Sequence, residues 1–354
     1  MVLFALPSLD AGGAERVATH LLRGLPRDRF DLHLALLRPT GLFLAELPAD
    51  VTAHRLGERA RYAGPAALRL AWRLRPDVIL PWTYPMNHLL MLLKPLLPSG
   101  SRVILRLSSL ASECVDAEPP TRAQWLRMRL LYPCAAAVVC PAKVMADDVI
   151  RNFRVPAGRV ALIPNPVDGG AIVRQVDGRG SPFRSPGPHL VAIGRLVPQK
   201  GFDRLLDAFA RAASAAAQLW ILGTGPLAAP LRERAGSLGL ESRVHFPGLV
   251  AEPYPWLRHA DLFVQASRFE GSPNALLEAL ACGTRVVAYD APGGTAEALE
   301  GAGGHVLVPD GDAAGFAAAI DRMLSAARPE RPVLPARHAL EPVLDQYARL
   351  LAAG

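Results

Sequence analysis

The stretch Asp261-Leu262-Phe263-Val264-Gln265-Ala266-Ser267-Arg268-Phe269-Glu270-Gly271-Ser272-Pro273-Asn274-Ala275-Leu276-Leu277-Glu278-Ala279 reads as one strand, one loop and one helix. Asp261 to Ala266 is nearly continuous in apolar residues, the mark of a strand covered on both faces. Ser272 fits an N-cap and Pro273 a first helical position, so the helix mouth would present backbone N–H groups to the loop.

The same step recurs along the chain. Strand candidates are 2–6, 32–37, 78–82, 102–107, 135–140 and 159–163, then 189–193, 218–222, 243–246, 285–289 and 305–308. Helical spacing falls between them, near 14–25, 65–74, 87–97, 121–132 and 142–153. In the first helix Ala14, Val17, Ala18, Leu21, Leu22 and Leu25 share a face. Alternating strands and helices predict an α/β protein with parallel sheets. The chain has 354 residues, which favours two doubly wound, Rossmann-like domains. Residues 166–188 are rich in Gly, Pro, Ser and Arg and read as a linker. The expected division is 1–165, linker 166–188, and 189–335, with a final helix near 336–352 crossing back onto the first domain. Two such domains would turn the carboxyl ends of their strands, and so their binding loops, toward a shared cleft.

Charge is unevenly placed. Residues 1–165 hold 21 Lys and Arg against 13 Asp and Glu, whereas the remainder holds 18 against 19. The basic half should meet something anionic, such as a lipid diphosphate or a membrane surface. Nucleic acid fits the charge alone, but no recognition motif or stacking platform accompanies it. No apolar run approaches the roughly 18 residues of a membrane span. Met1 to Pro7 lacks a basic leader and reads as a first strand, not a signal peptide. Cys114, Cys134, Cys140 and Cys282 form no CxxC pair and fit a structural role in a reducing compartment, hence a cytoplasmic protein.

Three constellations carry chemistry. Glu270 and Glu278, with seven residues between them, flank the Gly271-Ser272-Pro273-Asn274 turn and could grip separate hydroxyl sets of one ligand on either side of a diphosphate. The bland alternative is a capped helix with a solvated glutamate. Gly194-Arg195-Leu196-Val197-Pro198-Gln199-Lys200-Gly201 puts two cations in a short loop after a strand, suited to a leaving diphosphate. Gly12-Gly13 in Ser8-Leu9-Asp10-Ala11-Gly12-Gly13-Ala14-Glu15-Arg16 lets backbone approach a ligand, although such turns are common in α/β folds.

In this order the three elements resemble glycosyltransferase family 4, retaining nucleotide-sugar enzymes of the GT-B fold. The resemblance covers nearly the whole chain and extends to Ile163-Pro164-Asn165-Pro166-Val167-Asp168, Leu222-Gly223-Thr224-Gly225-Pro226-Leu227, Pro253-Tyr254-Pro255-Trp256-Leu257 and Asp290-Ala291-Pro292-Gly293-Gly294. It implies that Arg195 and Lys200 hold the diphosphate, that Glu270 contacts the donor sugar and that Glu278 holds the ribose. Gly223, Gly225, Leu249 and Val250 would border the nucleobase. Gly12 and Gly13 would line the phosphate or acceptor side. The implied substrates are a UDP- or GDP-sugar and a glycan or lipid-diphosphate acceptor, with retention and with neither metal nor cofactor. A GT-B epimerase or phosphorylase, and a catalytically dead scaffold binding a nucleotide or acidic lipid, are the rival readings.

Family members commonly carry a histidine in the loop after the strand equivalent to 77–81. Here His88 is displaced by several residues, so Arg106 is the stronger candidate for an acceptor phosphate. Gly223-Thr224-Gly225-Pro226-Leu227-Ala228 matches a dinucleotide fingerprint, but the next strand lacks its acidic residue. Asp310-Gly311-Asp312 matches a metal-binding D-x-D, yet Asp312 fits an N-cap. In the helix at 121–131, Trp125, Met128 and Leu131, flanked by Arg122 and Arg129, form a face suited either to an anionic membrane or to the core.

Overall fold

The computed structural model describes residues 1–10, 12–113, 119–326 and 332–353; Ala11 and Cys114 lie outside them. The chain forms two compact units, Met1–Pro166 with Leu340–Gly354, and Val167–Ala339.

The first unit is built on strands β1 (Val2–Leu6), β2 (Leu32–Leu36), β3 (Thr52–Arg55), β4 (Val78–Pro81), β5 (Arg102–Arg106), β6 (Ala137–Cys140) and β7 (Val160–Leu162). Its helices are α1 (Gly13–Gly24), α2 (Gly64–Leu74), α3 (Thr83–Leu93), α4 (Arg122–Leu131) and α5 (Lys143–Phe153). All strand pairs are parallel, in the order β3-β2-β1-β4-β5-β6-β7. Every residue of β1 is buried, as a central strand with helices on both faces requires. Edge strand β3 escapes a search for apolar runs because Thr52-Ala53-His54-Arg55 is mostly exposed.

The second unit opens with α6 (Gly169–Val176), capped by the Asp168 carboxylate accepting from the Ala171 N–H at 2.8 Å. The segment 166–188 is therefore no bare linker: it contains a helix that packs on a neighbour of its own unit. Then follow β8 (His189–Ile193), α7 (Phe202–Arg211), β9 (Gln218–Leu222), α8 (Ala228–Ser237), β10 (Val244–Gly248), α9 (Tyr254–His259), β11 (Leu262–Gln265), α10 (Asn274–Ala281), β12 (Val286–Asp290), α11 (Thr295–Leu299), β13 (His305–Pro309) and α12 (Ala313–Ser325). This sheet too is parallel, in the order β10-β9-β8-β11-β12-β13. Both units are thus Rossmann-like. Crossing back to the middle of the sheet leaves a switch point beside β8, where open α/β sheets bind ligands at their strand carboxyl ends.

The last helix, α13 (Leu340–Ala352), returns to the first unit. Val343, Tyr347, Ala348 and Leu351 enter the core formed by β1, β2 and α1. Burying each large side chain there contributes roughly 1.5–3 kcal/mol. Arg102 donates to the Leu351 carbonyl at 2.7 Å and fastens the end of the helix.

In the first unit the structure decides between the two readings of the 121–131 helix and corrects that of Arg106. Trp125 and Met128 face inward: Trp125 lies 5.4 Å from the Phe153 ring, and Met128 is buried. The core outcompetes a membrane for that face, and Leu126 and Leu130 are the exposed apolar residues of α4. Arg106 is no surface ligand either. It is 1% exposed, stacks 4.8 Å over the Trp82 ring and donates to Asn165 Oδ1 at 2.5 Å. Burial lowers its pKa, while the Tyr347 hydroxyl and Glu15 act in the opposite sense. It braces β5 against α13 rather than reaching a solvent-borne phosphate.

Candidate active site

The site of the second unit is assembled from loops after five strands. Gly201, after the β8 loop, has φ +61, and a Cβ there would stand 2.0 Å from the Ala266 carbonyl oxygen. Only glycine lets this backbone meet the end of β11 so closely. The Arg268 N–H donates to the Gln199 carbonyl at 2.8 Å, and Gln199 Nε2 returns a bond to the Phe269 carbonyl at 3.2 Å. Arg268 also grips Asp203 through two bonds of 2.6 and 2.8 Å. That cation, as partner, holds the Asp203 carboxyl below the usual carboxylate range.

Locking these loops together sets two charges face to face. Lys200 Nζ lies 2.6 Å from Glu270 Oε1, and the same oxygen accepts from the Ser267 hydroxyl at 2.6 Å. Glu270 is buried and Lys200 half-buried. The lysine stem runs past Gly194, where a Cβ would stand 3.2 Å from Lys200 Cγ. Sequence spacing singled out both residues but not their pairing, nor the parts of Ser267, Gln199 and Asp203. A 70-residue separation between the partners offers no local signal.

Glu270 is also fixed through its backbone. Its N–H donates to the Pro292 carbonyl at 3.1 Å, and its carbonyl accepts from Gly294 at 3.0 Å. Gly293 has φ +124, and a Cβ there would fall 1.6 Å from the Glu270 oxygen. On the other side, the Leu196 N–H donates to the Thr224 carbonyl at 2.8 Å, and the Gly223 N–H to the Gly248 carbonyl at 2.8 Å. A Cβ on Gly223 would lie 1.9 Å from the Gly194 oxygen, and one on Gly225 2.5 Å from that of Leu196. The loops at 194–201, 223–227 and 248–250 are therefore interlocked. Arg195 is exposed and makes no ion pair with any described residue. Leu249 is exposed and Val250 half-buried on the loop after β10.

Helix α10 begins one residue later than its sequence implies. Pro273 is the cap, with extended ψ of 90°, and Asn274 is the first helical residue. The N–H groups of Leu276 and Leu277 both reach the Pro273 carbonyl at 3.1 Å. Ser272 and Gly271 thus belong to the turn, and no side chain caps the helix among the described residues. Its positive dipole end opens on the Glu270 loop. Glu278 sits within α10, buried, and helps burial push the Cys282 thiol upward. Of the D-x-D pair, Asp310 accepts from Arg204 at 2.8 Å, and Asp312 caps α12 by accepting from the Gly315 N–H at 2.8 Å.

In the first unit Gly12 caps α1 without a side chain, and a Cβ on it would collide with Glu15 Oε2 at 2.1 Å. Gly13 is the first residue of that helix and exposed. His88 lies on α3, half-buried, stacked 5.6 Å from Tyr84. Burial, then Arg127, lowers its pKa.

Residues 11–169 match the family described as Glycosyltransferase Family 4, and residues 187–326 match Glycosyl transferases group 1. The chain belongs to the family 4 type of glycosyltransferases. Together the two matches take in both units and every loop of the candidate site. This glycosyltransferase is 29% identical to the lipopolysaccharide core biosynthesis glycosyltransferase LpsE of Rhizobium meliloti, over 97% of this chain and 96% of LpsE. It is 30% identical to a Campylobacter jejuni N-acetylgalactosaminyltransferase whose substrate is a diphospho-undecaprenol glycan, over 48% of this chain and 45% of that protein. Among solved structures it resembles Anabaena HepE in complex with UDP and glucose, with a TM-score of 0.77 and 18% identity, covering 100% of this chain and 99% of HepE. That likeness establishes the GT-B fold.

Proposed function

We propose that this glycosyltransferase moves a hexose from a UDP- or GDP-sugar, bound by the second unit, to a lipid-linked glycan precursor bound by the first, with retention and without a metal. The observation that carries the reading is the Lys200–Glu270 pair beside the uncapped start of α10. Lys200, with Arg195, would neutralise the departing diphosphate while the helix dipole faces it. Glu270 would take the sugar hydroxyls and Glu278 the ribose. Cleavage is at the anomeric C–O bond, and the electron pair leaves with the diphosphate. Asp310 and Asp312 are both engaged in structural bonds, which favours a mechanism in which cationic side chains do the neutralising. The basic first unit and the diphospho-undecaprenol substrate of the Campylobacter relative support a lipid-diphosphate acceptor. Action at the cytoplasmic face of a membrane follows from that acceptor. Gly12 and Gly13 would line the acceptor side of the reaction.

A thermal-shift screen of nucleotide diphospho-sugars tests this directly. A selective donor at a hundred times its Kd stabilises by about 2.7 kcal/mol. Slow hydrolysis of the same donor without acceptor separates an enzyme from a binding scaffold. A chain that neither shifts nor hydrolyses any donor is not the enzyme proposed.

A further inference from the structure

The first unit carries an exposed apolar face that the sugar-transfer chemistry does not use. On α3 and the turn after it, His88, Leu92 and Leu96 follow one another at four-residue spacing, and Leu92 and Leu96 are 54% and 58% exposed. On α4, Leu126 and Leu130 repeat that spacing at 54% and 64%. Four-residue spacing puts Leu126 and Leu130 on one side of α4. The Trp72 ring of α2, 52% exposed, joins the same face through its indole N–H, which donates to the Leu96 carbonyl at 3.0 Å. Lys94 Nζ bridges to the Cys134 carbonyl at 2.5 Å, and the Cys134 thiol reaches back to the Leu130 carbonyl. Trp72, Leu96, Lys94 and Leu130 are thus connected across three packed helices.

The charge on these helices has one sign. α2, α3, α4 and the turn after α3 contain Arg69, Arg73, Lys94, Arg122, Arg127 and Arg129 and no Asp or Glu. None of the six forms an ion pair among the described residues. Their partners are neutral: Arg129 donates to the Asn152 carbonyl, and Arg73 meets the His54 ring. Soluble surfaces ordinarily mix both signs and scatter their large apolar groups. Leucines and an indole among unpaired cations match a headgroup layer, where the apolar groups enter the acyl boundary and the cations meet lipid phosphate.

We infer that the α2–α3–α4 face of the first unit docks on an anionic bilayer, with Trp72, Leu92, Leu96, Leu126 and Leu130 as the inserted groups. The inference rests on the lipid-linked acceptor reading and adds to it which surface meets the membrane. It replaces the inward Trp125 face by its opposite.

Sedimentation of the full chain with vesicles of phosphatidylcholine alone, and with added phosphatidylglycerol, tests the surface. Binding is expected to the anionic vesicles only, weakening as salt rises. Leu96→Glu with Leu130→Glu, and separately Arg122→Glu with Arg127→Glu, should each lower the partition coefficient about tenfold or more, the scale of removing a few surface charges. All four side chains are solvent-facing, so the variants keep the fold, and a melting curve checks it. Donor hydrolysis measured without vesicles should be the same in wild type and variants; its absence in wild type would count against sugar transfer and not against the face. Wild type that stays in the supernatant with both vesicles overturns the inference and leaves the face to a protein partner. Variants that pellet like wild type also overturn it.

Discussion

Lys200 and Glu270, 70 residues apart, hold each other at 2.6 Å with Ser267 on the same carboxylate oxygen. The cation proposed for the diphosphate is thus stored against the carboxylate proposed for the sugar. A buried carboxylate is costly without a partner, so the pair satisfies Glu270 in the protein alone, and in the proposed reaction donor hydroxyls and phosphate would take over both roles.

Lys200→Ala should slow transfer by roughly 100-fold or more, the scale of losing one preorganised transition-state donor. Glu270 would keep Ser267 but lose its cation, and the ligand-free protein should lose on the order of 1–3 kcal/mol. Steady-state rates beside urea melts measure the two effects separately. Near-wild-type turnover removes Lys200 from the mechanism.

The two glutamates should separate in binding experiments. Glu270→Gln is expected to cut turnover with every donor while nucleoside-diphosphate affinity changes little. Glu278→Ala should weaken the nucleotide itself, by about ten- to a hundredfold for one charge-assisted hydrogen bond of roughly 1.5–3 kcal/mol. Isothermal titration with nucleoside diphosphate decides: unchanged affinity in Glu278→Ala denies it the ribose.

Gly293→Ala should be damaging although the change is one methyl group. The Cβ would have to occupy a point 1.6 Å from the Glu270 carbonyl oxygen, at a φ of +124. Backbone strain alone costs about 1–3 kcal/mol at such positions, and relieving the clash must move Glu270. A lower Tm together with lost turnover is expected. A variant as stable and active as wild type would show that the loop relaxes freely.

Stability should fall as the pH drops below the ordinary histidine range. Burial lowers the pKa values of His88, His189 and His245, and of His54 beside His33 and Arg73. The unfolded chain then takes up protons first, from about pH 6.5 downward, while the folded rings stay neutral. Above that pH both states are neutral and these groups contribute no slope. His245 stacks 4.0 Å from Trp220, so His245→Phe keeps an aromatic contact and removes one titration. Denaturant melts between pH 7.5 and 5 should show a shallower decline in that variant; parallel curves would exclude His245 as a contributor.

The sequence by itself determined the element types and which loops are candidates for the chemistry. Continuous apolar strands such as Val2–Leu6 and Leu262–Gln265 can only be buried on both faces, and that requires a parallel sheet covered by helices. The charged loop at 194–201 and the Glu270 turn were legible because each follows such a strand directly. Strand β3 was not, since an edge strand needs no apolar pattern. Tertiary structure alone decided which way ambiguous side chains face. Trp125 turned inward because Phe153 and its neighbours offered a dry surface, and Arg106 was drawn under Trp82 by Asn165 and Tyr347. It also decided that Lys200 meets Glu270: that contact depends on two glycines, Gly201 and Gly293, letting separate loops approach to distances that no Cβ would allow.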